Sequence, residues 1–256
     1  MREWRANKTN NQMRSRSLSF LLKSKHKFLR KIYFFYNVYV RNFKFLRKSS
    51  QFNEEIFLQK YFKDYGKGKY LDLGCFHPVR DNNTYQLYKK DWNGINIDLN
   101  PLTIELFNFS RPRDINLNTA LSRKSGKKLF YYFGEFSPLN TLDSNHLKFL
   151  KKNFNIKRNQ YKIKKIKTEN INLILNKYKF TTIDFLSIDL EGQEYEALRD
   201  FNFKKYKINL LSVEMLSHNS LSQKISKKLD RLLIRNNFKL AYKTGVNYFY
   251  KNTKWN

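Results

Sequence analysis

The sequence predicts an α/β fold built on a mostly parallel sheet with helices on both faces. Three observations support this prediction. Beyond about residue 50, short apolar stretches alternate with stretches of helical periodicity, which is typical of strand–helix–strand units. Polar residues and glycines follow several of these apolar stretches, as expected where strands end. Near the C-terminus, two strand-like stretches flank Thr244 and Gly245, and this pattern predicts an antiparallel hairpin.

The predicted elements follow one another along the chain with short connections. The first helix of the α/β region opens on asparagines, which suit a helix N-terminus. Pro101 suits the first turn of the second helix. The predicted strands are 69–74, 92–100, 114–122, 127–133, 161–168, 183–192, 208–215, 238–244 and 246–252, and the predicted helices are 82–91, 101–110, 143–154, 169–178, 193–201 and 221–237.

The chain of 256 residues is strongly basic, with a formal net charge of +30. Hydrophobic residues make up 41% of it, which is enough for a sizeable core. A charge of this size attracts phosphate-bearing partners or anionic membrane surfaces. A genome biased towards A and T would also raise the lysine content, so the charge alone does not identify a partner.

Cysteine usage and the apolar runs indicate a cytoplasmic setting. Cys75 is the only cysteine, so no disulfide forms within the chain, and a reducing compartment is the simplest expectation. Residues 1–17 lead to no long apolar stretch, and we therefore expect no secretory signal. The most apolar run, 32–40, is too short to span a bilayer, which needs about 20 residues.

We expect two parts, a basic aromatic arm over residues 1–50 and an α/β domain over residues 51–256. Within the arm, apolar residues recur at helical steps of three and four, with basic residues around them. Such a helix could contact an anionic membrane through residues 18–48, pack on its own domain, or dock a partner. The predicted apolar stripe consists of Phe28, Ile32, Phe35, Tyr39, Phe43 and Leu46.

Two predicted strands end in residues suited to a nucleoside ligand. Asp72, Gly74 and Cys75 end the first, and a glycine there lets a ligand approach the backbone closely. Asp98 ends the second, where an acid is placed to accept hydrogen bonds from ribose hydroxyls. The single glycine does not make the GxGxxG cradle for a pyrophosphate. This combination favours S-adenosylmethionine over NAD.

A third strand end, in the stretch IDFLSIDLEGQEYEAL, carries two acids two positions apart. Asp189 and Glu191 point the same way on an extended chain, and Gly192 follows them. Two close carboxylates need compensation by a cation, a proton or a ligand amine. An exposed acidic turn near a helix N-terminus is the alternative interpretation.

Three stretches resemble the FkbM family of S-adenosylmethionine-dependent methyltransferases. They are LDLGCFHPVRDNNTYQLYKKDWNGINIDLNP, RPRDINLNTALS and IDFLSIDLEGQEYEAL, and the resemblance covers roughly Lys69 to Tyr250. It implies a Rossmann-like class I methyltransferase fold, with a seven-stranded sheet whose last strand is antiparallel. It also implies methyl transfer, usually to an oxygen of a sugar or another natural product. The cofactor-binding residues that we assign with its help are Asp72, Gly74, Cys75, Asn83, Asp98, Asn118, Ala120 and Asp189.

A hydroxyl acceptor requires a base that removes its proton. Our candidate catalytic residues are His218, Glu214 and Glu191, with His77 as a weaker fourth. Asp189, Glu191 and Glu214 could instead bind a divalent metal that orients a diol, and the sequence leaves this choice open.

The resulting expectation is an S-adenosylmethionine-dependent O-methyltransferase acting on a saccharide or glycan in polysaccharide biosynthesis. One alternative is an RNA methyltransferase that uses the basic arm, although the sequence contains no recognisable RNA-binding module. The other is an inactive family member that only binds a partner. The acids at the strand ends argue against such decay.

Overall fold

A seven-stranded sheet forms the centre of the protein in a computed structural model, which describes residues 21–22, 26–134, 137, 139–190, 192–215 and 220–255. The strands are β1 (Lys69–Leu73), β2 (Asn93–Asp98), β3 (Ile115–Asn118), β4 (Ala120–Leu121), β5 (Gly126–Tyr132), β6 (Lys162–Glu169), β7 (Thr182–Ile188), β8 (Lys207–Glu214), β9 (Phe238–Thr244) and β10 (Asn247–Asn252). The α-helices are α1 (Lys27–Phe35), α2 (Glu54–Tyr61), α3 (Tyr85–Lys89), α4 (Pro101–Ser110), α5 (Ser144–Phe154), α6 (Ile171–Lys177), α7 (Glu194–Leu198) and α8 (Ser220–Arg235).

The main sheet has the strand order β3-β2-β1-β7-β8-β10-β9. The first five of these strands are parallel, whereas β10 runs antiparallel to both β8 and β9. The predicted mostly parallel seven-stranded sheet with a C-terminal hairpin is therefore confirmed. Because the chain winds outwards in both directions from β1 and β7, their carboxyl ends mark the switch point where α/β sheets bind ligands.

A second sheet of three strands, in the order β4-β6-β5, lies outside the main one. The predicted single strand 114–122 is divided between the two sheets at Thr119. Asn118 ends β3 in the main sheet, and Ala120 begins β4, which pairs with β6. The predicted strands 127–133 and 161–168 pair with each other as β5 and β6.

Two of the helices are shorter than their periodicity predicts. The helix expected over 82–91 is only α3, because the side chains of Asn82 and Thr84 bind within the preceding loop. Asp91 also has a φ of 62°, which is incompatible with a continuing helix. The helix expected over 193–201 is only α7.

The segment before the sheet packs on the domain through a different face from the predicted stripe. After α1, it continues as a π-helical turn (Tyr36–Arg41) and a 3₁₀ turn (Phe43–Leu46). Tyr33, Phe34 and Val38 are buried in a cluster with residues of α4. Of the stripe, Tyr39 and Leu46 contact this cluster, whereas Phe28, Ile32, Phe35 and Phe43 are exposed. The placement of the first twenty residues lies outside the described part.

None of the helices in the described ranges is both long and apolar enough to cross a membrane.

Candidate active site

The ends of β1 and β7 meet at Gly74, which has a φ of +79°. A Cβ atom there would lie 1.8 Å from the backbone oxygen of Asp189. The Asp189 amide in turn donates to the Leu73 carbonyl at 2.9 Å. Glycine is required because the two strand ends touch each other in a left-handed turn. Two stretches that the sequence assigns to the site are thus adjacent.

Asp72 is almost fully buried in a network of side chains. Its Oδ2 atom accepts hydrogen bonds from Thr84 Oγ1 at 2.8 Å and Asn82 Nδ2 at 3.1 Å. The guanidinium of Arg111, itself fully buried, donates to Thr84 Oγ1 at 2.8 Å and Asn82 Oδ1 at 2.7 Å. Burial raises the pKa of Asp72, while these hydrogen bonds and the Arg111 charge oppose the rise. Asp72 therefore holds the loop between β1 and α3, and its contact with a cofactor stays a prediction.

Two other residues that the sequence assigns to the cofactor, Cys75 and Asn83, belong to the same loop. Cys75 is buried against Ile104 and Phe107, and burial raises the pKa of its thiol well above the ordinary value. Its backbone carbonyl accepts a hydrogen bond from Asn82 Nδ2 at 3.1 Å. Asn83 is half-buried in the turn that leads into α3. The backbone of this loop, rather than the side chains of Cys75 and Asn83, is therefore the part that could contact a ligand.

His77 is buried and faces the N-terminal segment. Its Nδ1 atom accepts hydrogen bonds from the backbone amides of Val79 and Arg80, at 3.2 and 3.1 Å. Its Nε2 atom lies 2.9 Å from Asn37 Oδ1, to which it donates in this tautomer. Burial lowers the pKa of the ring well below its ordinary value. These contacts give His77 a structural role and do not favour it as the base.

Asp98 lies one strand over, at the carboxyl end of β2, and is half-buried. Its Oδ2 atom accepts from the Phe76 amide at 3.0 Å, and its Oδ1 atom accepts from the Asn100 amide at 2.7 Å. Burial raises the pKa of Asp98 to about 6, and the nearby charges of Asp72 and Asp189 add to the rise. Each carboxyl oxygen retains a lone pair for a further donor.

A cavity of about 510 Å³ is lined by Leu99 and Asn100, the two residues that follow Asp98. The ends of β2 and β3 form one side, where Asn118 donates through Nδ2 to the Asp98 carbonyl at 3.1 Å. The small sheet and the N-terminal segment form the other sides. The lining residues used below are Arg30, Asn100, Asn118, Ala120, Phe130 and Tyr132.

A group of three carboxylates lies at the ends of β7 and β8. One oxygen from each of Asp189, Glu194 and Glu214 lies within 4.8 Å of the others. Asp189 is exposed, Glu214 is half-buried and Glu194 is buried. Asp189 and Glu214 are members of the set predicted from sequence. The other two candidates, Glu191 and His218, lie outside the described residues.

Glu194 closes the turn that follows β7. Its Oε1 atom accepts from the backbone amides of Leu190 and Gly192, each at 3.0 Å. Burial raises the pKa of Glu194 to about 7, although these hydrogen bonds oppose the rise. A carboxyl group that changes its protonation near neutral pH at a strand end is typical of functional sites.

The sheet order and the acids at its strand ends agree with one family. The profile of the Methyltransferase FkbM domain matches residues 66–240, which is more than half of the chain. This chain belongs to the FkbM methyltransferase family. A crystal structure of Methyltransferase FkbM from Methylobacillus flagellatus KT matches it with a TM-score of 0.45 and 12% identity. The match covers 97% of this chain and spans only 60% of that one. No curated protein matches the chain significantly.

The FkbM domain contains site residues that the sequence-based assignment missed. Arg111 was visible only as part of the quoted stretch RPRD, and no local pattern connects it with Asp72. Glu194 follows Gly192 by two residues and resembles an ordinary surface acid of a helix. The aromatic side of the cavity comes from β5, which the sequence predicted as a strand without a role.

Proposed function

We propose that this chain transfers a methyl group from S-adenosylmethionine to a hydroxyl oxygen of a saccharide or another glycan-type acceptor. The observation that carries the proposal is the half-buried Asp98 carboxylate at the end of β2, where the next two residues and its cross-strand neighbour Asn118 line a cavity of about 510 Å³. Membership of a methyltransferase family supports the type of reaction. The saccharide acceptor follows the usual acceptor of the resembled family, and the single cysteine favours a cytoplasmic setting.

The residues around the cavity fit the cofactor. Asp98 would accept the ribose hydroxyls with the lone pairs that the Phe76 and Asn100 amides leave free on its two oxygens. Phe130 and Tyr132 would offer aromatic surface to the adenine, and Asn118 would add an amide at the end of β3. The cavity volume is within the range of small-molecule sites, about 300 to 1,000 Å³.

S-adenosylmethionine, when bound, supplies an electrophilic methyl carbon on a sulfonium. The acceptor oxygen must approach this carbon in line with the bond that breaks, so the chain contributes alignment and the exclusion of water. As the new C–O bond forms, the acceptor hydroxyl loses its proton. We assign the Glu214 carboxylate at the end of β8 as the base that takes this proton. Glu191 and His218 are the alternative bases that the sequence predicts.

The three carboxylates also fit a divalent metal, because Mg²⁺ and Ca²⁺ prefer oxygen ligands. Asp189, Glu194 and Glu214 would hold the ion, with Glu194 deprotonated. A metal there would orient two neighbouring hydroxyls of the acceptor. Methyl transfer that is lost in EDTA and restored by Mg²⁺ would support this site, whereas unchanged transfer would exclude it.

Calorimetric titration with S-adenosylhomocysteine and S-adenosylmethionine is the direct test of the cofactor. We expect micromolar binding that Asp98→Asn weakens by about tenfold or more, since the neutral amide accepts ribose hydroxyls less strongly. Asp91→Asn is the matched control, because Asp91 lies in an exposed ion pair with Arg113. Thermal unfolding of each variant checks that the fold is retained.

The acceptor is tested separately, with radiolabelled S-adenosylmethionine and a panel of glycans, lipid-linked sugars and RNA. Transfer to a sugar hydroxyl supports the proposal. A folded protein that binds neither cofactor form would overturn the methyltransferase assignment and favour an inactive, partner-binding member. Transfer to RNA alone would refute the saccharide acceptor while leaving the cofactor assignment intact.

A further inference from the structure

The N-terminal segment exposes apolar side chains on the surface of the protein. Phe28, Ile32 and Phe35 are 71%, 41% and 54% exposed. Their spacing of four and three residues places them on one face of α1. Phe43, in the turn after α1, is 68% exposed. We call these four residues the outer face. Single exposed apolar residues are ordinary, but three on one helix face form a contiguous patch.

The outer face is surrounded by positive charge. Between residues 27 and 48 there are basic residues at seven positions and no acidic one. Lys27 and Lys31 lie four residues apart on α1 beside the patch, and both are exposed. The exposed basic residues of the segment include Lys27, Lys31, Lys44, Arg47 and Lys48.

The outer face is held in a fixed position on the domain. Tyr33 and Phe34, on the opposite side of α1, are buried, with 4% and 7% exposure. Asn37 contacts the buried His77, and Arg30 forms an ion pair with Glu105 of α4. Packing on the domain therefore accounts for the apolar residues on one side of α1, but not for those of the outer face.

We propose that the outer face binds the surface of an anionic lipid bilayer. Aromatic and aliphatic side chains with flanking lysines fit a membrane interface, where the apolar groups enter and the cations contact headgroups. A nucleic acid would use the same charges, but it offers no apolar layer for Ile32 and Phe28. This inference does not depend on the proposed reaction.

The same segment also contacts the candidate active site. Arg30 lines the cavity that follows Asp98, and it is four residues from the buried Phe34. A bilayer bound at the outer face would therefore lie across the same helix from the cavity, about 10 Å away. This placement suits an acceptor that is itself attached to a lipid.

Vesicle flotation of the full chain tests the proposal. We expect the protein to float with vesicles of phosphatidylcholine and phosphatidylglycerol, and to bind pure phosphatidylcholine about tenfold more weakly. The variant Phe28→Ser/Ile32→Ser/Phe35→Ser should weaken binding to the anionic vesicles by about tenfold or more. The matched control, Leu173→Ser/Ile234→Ser/Leu240→Ser, changes side chains that are 61%, 56% and 46% exposed elsewhere. It should bind as the original chain does.

The other outcomes would overturn the proposal. One is a full chain, with residues 1–20 present, that does not float with anionic vesicles. An equal loss of vesicle binding in the test and control variants would show that exposed apolar side chains promote binding wherever they lie on the surface. Binding that persists without the three apolar side chains and that RNA displaces would instead identify a site for nucleic acid. Melting curves of both variants confirm that they are folded.

Discussion

The carboxyl ends of β1 and β2 are neighbours in the sheet, and each carries an aspartate whose pKa is raised by burial. Their surroundings differ. Asp72 is enclosed by Thr84, Asn82 and the buried Arg111, all from the protein itself. Asp98 accepts hydrogen bonds only from backbone amides in the described part of the chain, and the two residues that follow it line the cavity. One strand end is thus packed with protein, whereas the next one opens to space for a ligand.

This difference shows that an acid at a strand end has no fixed role. The sequence assigns both aspartates to the cofactor, since both follow an apolar stretch in the same way. What separates them is the partner that each one meets in the folded chain. The variants below test whether the β1 end acts on stability and the β2 end on binding.

The largest effect is expected from Gly74→Ala, at the end of β1. Its Cβ would lie 1.8 Å from the Asp189 oxygen, in a backbone conformation that alanine rarely adopts. We expect a loss of about 4 kcal/mol or more in the free energy of unfolding, measured in urea. Gly126→Ala is the control, because a Cβ at that position would meet no other atom within 4 Å. Equal stability of the two variants would refute the close contact.

Arg111→Met should cost about 3 kcal/mol of stability, because it leaves Asp72 buried without a counter-charge and removes three hydrogen bonds, to Thr84, Asn82 and the Pro78 carbonyl. Arg113→Met removes the same charge two residues later, from an exposed pair with Asp91. Exposed pairs contribute at most about 1 kcal/mol. Urea titration of both variants measures the difference. Similar small losses of stability in both variants would mean that the hydrogen bonds around Asp72 and Arg111 do not stabilise the fold.

Much of the fold could be predicted because apolar periodicity reports burial directly. The order of strands and helices follows from stretches such as 69–74 and 183–192, and the hairpin follows from Gly245. The division at Thr119 was not predictable, since a local pattern does not say which sheet a strand will join. The stripe on α1 is a similar case. Aromatic residues occur all around this helix, so spacing alone could not choose Tyr33 and Phe34 as the packed side.

The candidate site was predictable to the extent that it depends on strand ends. Asn118 and Ala120 line the cavity, and Asp98 lies beside Asn118 at the same end of the sheet. The role of Arg111 depends on a contact across 29 residues of chain with Asn82, and no local pattern encodes it. Glu194 became recognisable only through its burial and its two backbone donors.

At the end of β7 we expect a loss of stability of intermediate size. Glu194→Ala would leave the amides of Leu190 and Gly192 without their acceptor, at a cost of about 2 kcal/mol. Glu196→Ala, in a largely exposed pair with Arg199, should cost less than about 1 kcal/mol. Chemical unfolding near neutral pH compares the two. A loss confined to Glu196→Ala would contradict the role of Glu194 in closing the turn.

The same residue should make stability depend on pH. The pKa of Glu194 is about 7 in the folded protein and lies near 4.5 when the chain is unfolded. The stabilising contribution of Glu194 to the free energy of unfolding is therefore fully present below about pH 4.5. It is lost as the pH rises through about 7, because the folded protein then has to ionise a buried carboxyl group. Glu194→Gln keeps an acceptor oxygen but does not titrate, so its stability should fall less over this interval. Identical profiles for the two proteins would show that Glu194 does not titrate there.

The smallest effect is expected at the end of β2, in the pH dependence of cofactor binding. Ribose hydroxyls donate to the ionised form of Asp98, whose pKa is about 6. Affinity for S-adenosylhomocysteine should therefore rise with pH through this value, by about tenfold between pH 5 and pH 7.5. Asp98→Asn should bind more weakly with a flatter profile, whereas Asp91→Asn should keep the original slope. If the affinity of Asp98→Asn still rises with pH as in the original chain, another acid is responsible for the titration. Asp98 would then resemble Asp72, which contacts the protein itself and not a ligand.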